Sequence, residues 1–232
     1  MIKEAIVLAG GKGTRLRSVV SDVPKPMADI NGRPFLAFLL DDLAQQGIER
    51  VVLAVGYKRE VILEYFGTEY KGMEVLYSVE EEALGTGGGI KLACSKVEGE
   101  EVLAINGDTY FQVDLEALYT FAKENSATLT MALKQMYDFD RYGTVQTGDD
   151  GRIMGFEEKK YQTAGLINGG VYFFRKSLLE DSELAEKFSF EKDILEKLYD
   201  QEAFYGLGFD TYFIDIGIPE DYERSKHELT VL

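Results

Sequence analysis

The chain has 232 residues, 45% of them hydrophobic, which is enough for an α/β fold with a sizeable core. Its 41 acidic and 25 basic residues give a net charge of −16, which excludes the broad basic faces that non-specific nucleic-acid or anionic-membrane binding requires. Cys94 is the only cysteine and no apolar stretch approaches the about 20 residues that cross a bilayer, so neither disulfide nor membrane span is expected and the cytoplasm is the expected location.

Residues Ala5 to Ala9 form a continuous apolar run bounded by glycine, too short for a signal peptide. It has the pattern of a strand buried on both faces, as in a parallel sheet. Gly10, Gly11 and Gly13 then allow a sharp turn and a close approach of backbone to a ligand. Successive N–H groups in such a turn make a concave anion site. Lys12, Arg15, Arg17 and Lys25 add positive charge with only Asp22 against them, so the stretch reads as a cradle for a polyphosphate. A plain glycine turn after a strand is the alternative. A P-loop is excluded because Gly13, not Ser or Thr, follows Lys12. A dinucleotide fingerprint is excluded because Leu16 holds the place of the third glycine.

Gly-Gly-x-Gly-Thr-Arg-Leu over Gly10 to Leu16, followed by Pro24-Lys25-Pro26, resembles the signature of the sugar-1-phosphate nucleotidyltransferases. Ser18 to Ile30 looks most like the branch that uses GTP and D-glycero-α-D-manno-heptose 1-phosphate. The resemblance runs from Met1 to about Tyr222. It implies a nucleotide-diphospho-sugar transferase (GT-A-like) fold and the joining of a nucleoside triphosphate to a sugar 1-phosphate with release of pyrophosphate. It also implies nucleotide contacts from Leu8, Ala9, Gly10, Gly11, Gly13, Thr14, Arg15 and Lys25.

Downstream, helices and strands alternate. Pro34 can start a helix with Leu36, Leu39, Leu40 and Leu43 on one face and Gly47 ending it. Arg50 to Val55 reads as a strand, Lys58 to Phe66 as a short helix, and Glu74 to Val79 and Glu101 to Ile105 as further strands. This alternation predicts a Rossmann-like, mostly parallel but mixed central sheet flanked by helices, with a ligand crevice at the strands' carboxyl ends. The glycine-rich stretch Leu84 to Gly89 is expected either to bring backbone against a flat ligand such as a base or to be a mobile loop. The resemblance gives Leu84, Gly85 and Thr86 contact with the base. Glu82 either accepts hydrogen bonds from guanine N1–H and N2–H or is one more solvated acid.

Asn106-Gly107-Asp108-Thr109 sets a carboxylate at a strand end beside a glycine that opens the site, suited to a hard cation or, equally, to a helix cap. Asp215 lies among apolar residues, where a metal, a buried Arg or backbone amides would have to satisfy it. The resemblance makes Asp108 and Asp215 the ligands of Mg²⁺ and adds Gly107 to the nucleotide site. Thr128 to Leu133 and Gly143 to Thr147 read as strands, and Asp149-Asp150-Gly151 as a hairpin turn. The resemblance assigns Glu158 and Lys159 to the sugar and its phosphate, and Gly143 and Asn168 to the sugar. Phe188 to Leu198 reads as an amphipathic helix capped by Ser189, and Pro219 to Leu229 as the last helix, carrying a surface His227.

The expected organisation is one nucleotidyltransferase domain over 1–232, with a nucleotide-binding half to about 110 and a sugar-phosphate-binding half after it. In the expected mechanism the sugar phosphate attacks the α-phosphorus in line. Arg15 holds the pyrophosphate, Lys25 the α-phosphate and Lys159 the sugar phosphate. Expected partners are small molecules only, an NTP and a sugar 1-phosphate, with no nucleic acid and no membrane; a homodimer is allowed but not required. Two other readings stay open: the same chemistry with UTP, dTTP or GTP and glucose or mannose 1-phosphate, and a non-catalytic nucleotide-sugar sensor.

Overall fold

The computed structural model describes residues 2–11, 16, 22–180 and 184–229. Strand β1 (Glu4–Leu8) leads through a 3₁₀ turn at Lys25–Met27 to a short ribbon, β2 (Asp29–Ile30) with β3 (Arg33–Pro34). Helix α1 (Phe35–Gln45), β4 (Arg50–Val55), α2 (Arg59–Phe66), the short β5 (Glu69–Tyr70), β6 (Met73–Val79), α3 (Gly85–Cys94) and β7 (Glu101–Asn106) follow. The rest comprises β8 (Thr109–Phe111), α4 (Leu115–Glu124), β9 (Leu129–Phe139), β10 (Thr144–Thr147), β11 (Ile153–Glu157) and β12 (Gln162–Arg175). A π-helical segment (Phe190–Leu195) then runs into α5 (Glu196–Leu198), β13 (Phe204–Phe209), β14 (Phe213–Asp215) and α6 (Pro219–Glu228).

The apolar runs become strands covered on both sides. Ala5 and Val7 of β1, Val51, Leu53 and Val55 of β4, and Leu103 and Ile105 of β7 point into one core. Their neighbours Ile6, Val52, Ala54, Val102 and Ala104 point into a second. The strand period of two therefore divides one continuous apolar sequence between two layers. Helices α1, α2 and α4 cover the first core, and α3 with the π-helical segment covers the second. Helix α1 ends as the sequence predicts: Gly47 takes φ +83°, Gly47 N–H donates to Ala44 O, and Ile48 N–H donates to Leu43 O. Its start differs by one residue, since Pro34 closes β3 and Phe35 opens the helix.

Strands β7, β1, β4 and β6 lie side by side and parallel. The chain lays down β1, β4 and β6 in one direction, then returns to place β7 on the other flank of β1. At that reversal the connections leave β1 toward opposite sides, and a crevice opens at the carboxyl ends. Beyond β7 the sheet turns antiparallel through β12, which also pairs with β9 and β10. Strand β13 adds a parallel pair on β9. The sheet is thus mixed, with ten strands, and its parallel part carries the crevice. Among the described residues no helix is long and apolar enough to cross a membrane.

The segment after Ser189 is not an α-helix from its start: Ser189 caps it, accepting from Lys192 N–H, but Phe190–Leu195 is π-helical. Phe190 N–H is claimed by Thr86 Oγ at 2.9 Å, and the wider turn lets Phe190, Ile194 and Leu195 all reach the core. The stretch after Leu84 is not a loop: Gly85 opens α3 and is exposed, whereas Gly87, Gly88 and Gly89 lie buried in its first turns and offer no surface to a ligand. A Cβ on Gly87 would stand 2.2 Å from the Phe188 ring, and one on Gly88 2.6 Å from Glu186 O. They are small so that the 186–188 segment can lie against the helix.

Candidate active site

A cavity of about 710 Å³ opens at the carboxyl ends of β1, β4 and β6. Of the residues expected at the nucleotide, Leu8, Gly10, Gly11, Lys25, Glu82, Gly85, Thr86 and Asp108 line it. Ala9 and Leu84 support the wall instead: Ala9 N–H donates to Ala54 O, and Leu84 O accepts from Phe188 N–H. Gly107 is also behind the wall. Its N–H donates to Leu8 O at 2.9 Å, and a Cβ there would stand 2.6 Å from that same oxygen. The glycine thus lets the ends of β1 and β7 close on each other and so fixes where Asp108 emerges. Gly13, Thr14 and Arg15 lie outside the described residues.

Glu82 is exposed at the cavity rim. The carboxylate that faces the interior is Glu80, which the sequence reading did not single out although it stands directly after β6. Glu80 Oε2 accepts from Leu84 N–H at 3.0 Å, and Oε1 lies between Gly10 and Gly89. Burial pushes its carboxyl above the usual glutamate value, with the Leu84 N–H pulling the other way.

A second cavity, about 940 Å³, shares Asn106 and Asp108 with the first. Gly143, Glu158, Lys159, Asn168 and Asp215 line it, so every residue expected at the sugar phosphate falls in one place. Glu158 and Lys159 are exposed there, whereas Glu157 is committed to the protein, accepting from Gln146 at 2.7 Å and Lys160 at 2.8 Å. Its hydrogen bond from Lys160 holds the Glu157 carboxyl below the usual range. Asn168 has a structural duty that was not foreseen. It spans the point where the β12–β9 register shifts, accepting from Gly170 N–H at 2.9 Å and donating to Tyr172 Oη at 2.8 Å. One N–H and one lone pair of its amide remain for a ligand. The two cavities share a wall: Thr86 Oγ, in the first, donates to Glu191 Oε2, in the second, at 2.7 Å.

Where the cavities meet, Lys25 Nζ donates to Asp108 Oδ2 at 2.8 Å and stands 3.3 Å from Asp215 Oδ1. Lys25 is buried, with Asp108 about half exposed beside it. Three devices bring these residues together. The 3₁₀ turn, fixed by Met27 N–H on Pro24 O, presents Lys25. The antiparallel pair β8–β14 sets Asp215 opposite Thr109, and Ile216 N–H donates to Asp108 O. Gly217 lets the Asp215 carboxylate lie against its own chain, since a Cβ there would be 2.9 Å from Asp215 Oδ1. Tyr142 Oη lies 3.5 Å from Asp215 Oδ2, and burial, then the Asp215 charge, push its hydroxyl far above the usual tyrosine value. Among the described residues no group of three or more His, Cys, Asp and Glu is arranged to hold a metal. Two oxygen-donor carboxylates are nevertheless a fitting set for Mg²⁺, which takes one or two and completes its shell with water and phosphate oxygens. His227 is exposed on α6 and lines neither cavity.

The chain matches the model of the nucleotidyl transferase family over residues 4–230. It is 53% identical to D-glycero-α-D-manno-heptose 1-phosphate guanylyltransferase of Aneurinibacillus thermoaerophilus, over 97% of this chain and 98% of that one. It is 50% identical to the enzyme of the same name from Campylobacter jejuni, over 94% and 96%. Among solved structures it is similar to HddC from Yersinia pseudotuberculosis complexed with GMP-PN, with a TM-score of 0.88 at 38% identity, covering 98% of this chain and 99% of that one.

Proposed function

The chain belongs to the nucleotidyl transferase family, and from that premise we propose that it transfers GMP from GTP to D-glycero-α-D-manno-heptose 1-phosphate, giving GDP-heptose and pyrophosphate for surface-glycan synthesis. One observation carries this reading: two cavities of substrate size share Asp108, and Lys25 joins it to Asp215 at their junction. A reaction that joins two phosphorylated substrates needs such a junction. In this reading residues to about 110 hold the nucleotide, residues beyond hold the sugar phosphate, and the two halves work as one domain in the cytoplasm.

An oxygen of the sugar phosphate attacks the α-phosphorus, the α–β phosphoanhydride bond breaks, and pyrophosphate leaves. The nucleophile is already an anion, so no residue has to remove a proton. The chain's work is alignment and charge neutralisation. Lys25 stabilises charge at the α-phosphate, Lys159 holds the sugar phosphate, and Arg15 the departing pyrophosphate. Asp108 and Asp215 would hold Mg²⁺, which neutralises charge on the reacting phosphates when bound. Glu80 supports guanine as the base, because a half-buried carboxylate with an uncommitted oxygen suits the N1–H and N2–H donors. Exposed Glu82 is the weaker candidate for that role.

The test is pyrophosphate release with Mg²⁺, pairing GTP, UTP, dTTP, ATP and CTP with mannose, glucose and manno-heptose 1-phosphates. Release confined to GTP with the heptose phosphate is expected. Release with another pair would keep the chemistry and discard the substrate assignment. Nucleotide binding without release from any pair would make the chain a sensor.

A further inference from the structure

The second cavity has acidic walls: Asp108, Asp215, Glu158, Glu191 and Glu196 all line it. A sugar phosphate entering it needs more positive charge than the exposed ammonium groups of Lys159 and Lys192 supply. Among the described residues lining the cavity, Arg141 is the one guanidinium. It stands beside Tyr142 and Gly143 in the turn between β9 and β10, and it feels the charge of Asp215. Its Nη2 donates to Asp221 Oδ2 at 2.5 Å, and Asp221 is buried in the first turn of α6. Arg224 meets the other Asp221 oxygen at 3.2 Å. Arg224 also meets Glu228, at 3.4 Å, whereas Arg141 lines the cavity. Asp221 takes only one of the five N–H groups of Arg141, and the planar fork suits a phosphate.

We propose that Arg141 binds the phosphate of the sugar 1-phosphate and that buried Asp221 is its positioning residue. The inference rests on the sugar-phosphate reading of this cavity. It predicts a division of effects that a purely structural ion pair would not produce, because a structural pair would disturb both substrates and the melting temperature together.

Calorimetric binding of D-glycero-α-D-manno-heptose 1-phosphate and of GTP is measured on the whole chain and on R141Q, R141K and D221N. R141Q should weaken the heptose phosphate roughly 10- to 100-fold, the range of a charge-assisted contact, with GTP affinity unchanged. R141K should recover part of that loss, and D221N should weaken the heptose phosphate by less than R141Q does. R141Q binding the heptose phosphate as the parent does, or losing both substrates equally, would overturn the proposal. Should D221N fail to fold, the R141Q and R141K comparison decides alone. No binding of the heptose phosphate by the parent chain would overturn the sugar-phosphate reading and this inference with it; binding that R141Q leaves intact overturns this inference only.

Discussion

Lys25 is buried with two carboxylates facing it, Asp108 at 2.8 Å and Asp215 at 3.3 Å. The position is poised for phosphate, since an incoming anion meets a cation already stripped of most of its water. Lys25→Ala is expected to lower kcat by about 100- to 1000-fold, the usual consequence of removing one preorganised charge at a reacting group. Steady-state kinetics at saturating substrates check this, and near-normal turnover would remove Lys25 from the reaction. Glu80 shows the opposite economy of charge. Its carboxyl is raised in the folded chain by burial, so the folded state binds more protons than the unfolded one in the interval above the usual value of 4.5. Stability then falls as pH rises through that interval, and at neutral pH the ionised group is a net cost. Glu80→Gln should therefore melt higher than the parent at pH 7 without nucleotide, with the gap closing as pH falls toward 4.5. The same variant should bind GTP more weakly. Melting curves across pH check the first statement, and a gap independent of pH would remove desolvation as its cause. Neither Glu80 nor Arg141 is distinguishable from other charged residues in the sequence, because what sets them apart is burial and the group opposite.

At the scale of elements, the site depends on how closely strand and helix ends approach. Gly107 allows the end of β7 to meet Leu8 O, and no side chain fits between them. Gly107→Ala is expected to cost about 1–3 kcal/mol in urea unfolding, as overpacking does, and to lower kcat because Asp108 follows directly. Gly11 is the control: among the described residues nothing lies within 4 Å of a Cβ there, so Gly11→Ala should leave stability within about 0.5 kcal/mol. Equal losses in the two variants would mean that close approach is not what Gly107 provides. The parallel strands were legible because each is a bounded apolar run. Helix α4 went unread, although Asp114, which caps it by accepting from Ala117 N–H, and Leu115, Leu118 and Ala122, which share a face, are local signals. Strand β12 was not legible: its 162–175 stretch carries Gly165, Gly169 and Gly170, and it is a strand because β7, β9 and β10 all pair with it.

For the molecule as a whole, a net charge of −16 coexists with substrates that are themselves anionic, so binding must come from a few local cations and from the crevice. GTP with Mg²⁺ at 100 times its Kd should stabilise the chain by about 2.7 kcal/mol. In a domain of this size that corresponds to a rise in Tm of roughly 5–10 °C. Differential scanning fluorimetry checks this, and equal shifts from ATP or UTP would remove the case for guanine. The sequence by itself determined the family and the mixed α/β sheet, because strand period and turn chemistry are local and motif spacing is covalent; the residues it named, Lys25, Asp108, Asp215, Gly143, Glu158, Lys159 and Asn168, lie along the two cavities. Only the tertiary structure decided that Asp108 and Asp215 meet on Lys25, that Glu80 is half-buried in the first cavity while Glu82 stands exposed at its rim, that Asn168 secures a strand irregularity, and that Arg141 is held by Asp221. Those relations join positions far apart in the chain, and burial and electrostatics depend on distance in space, which a linear sequence does not carry.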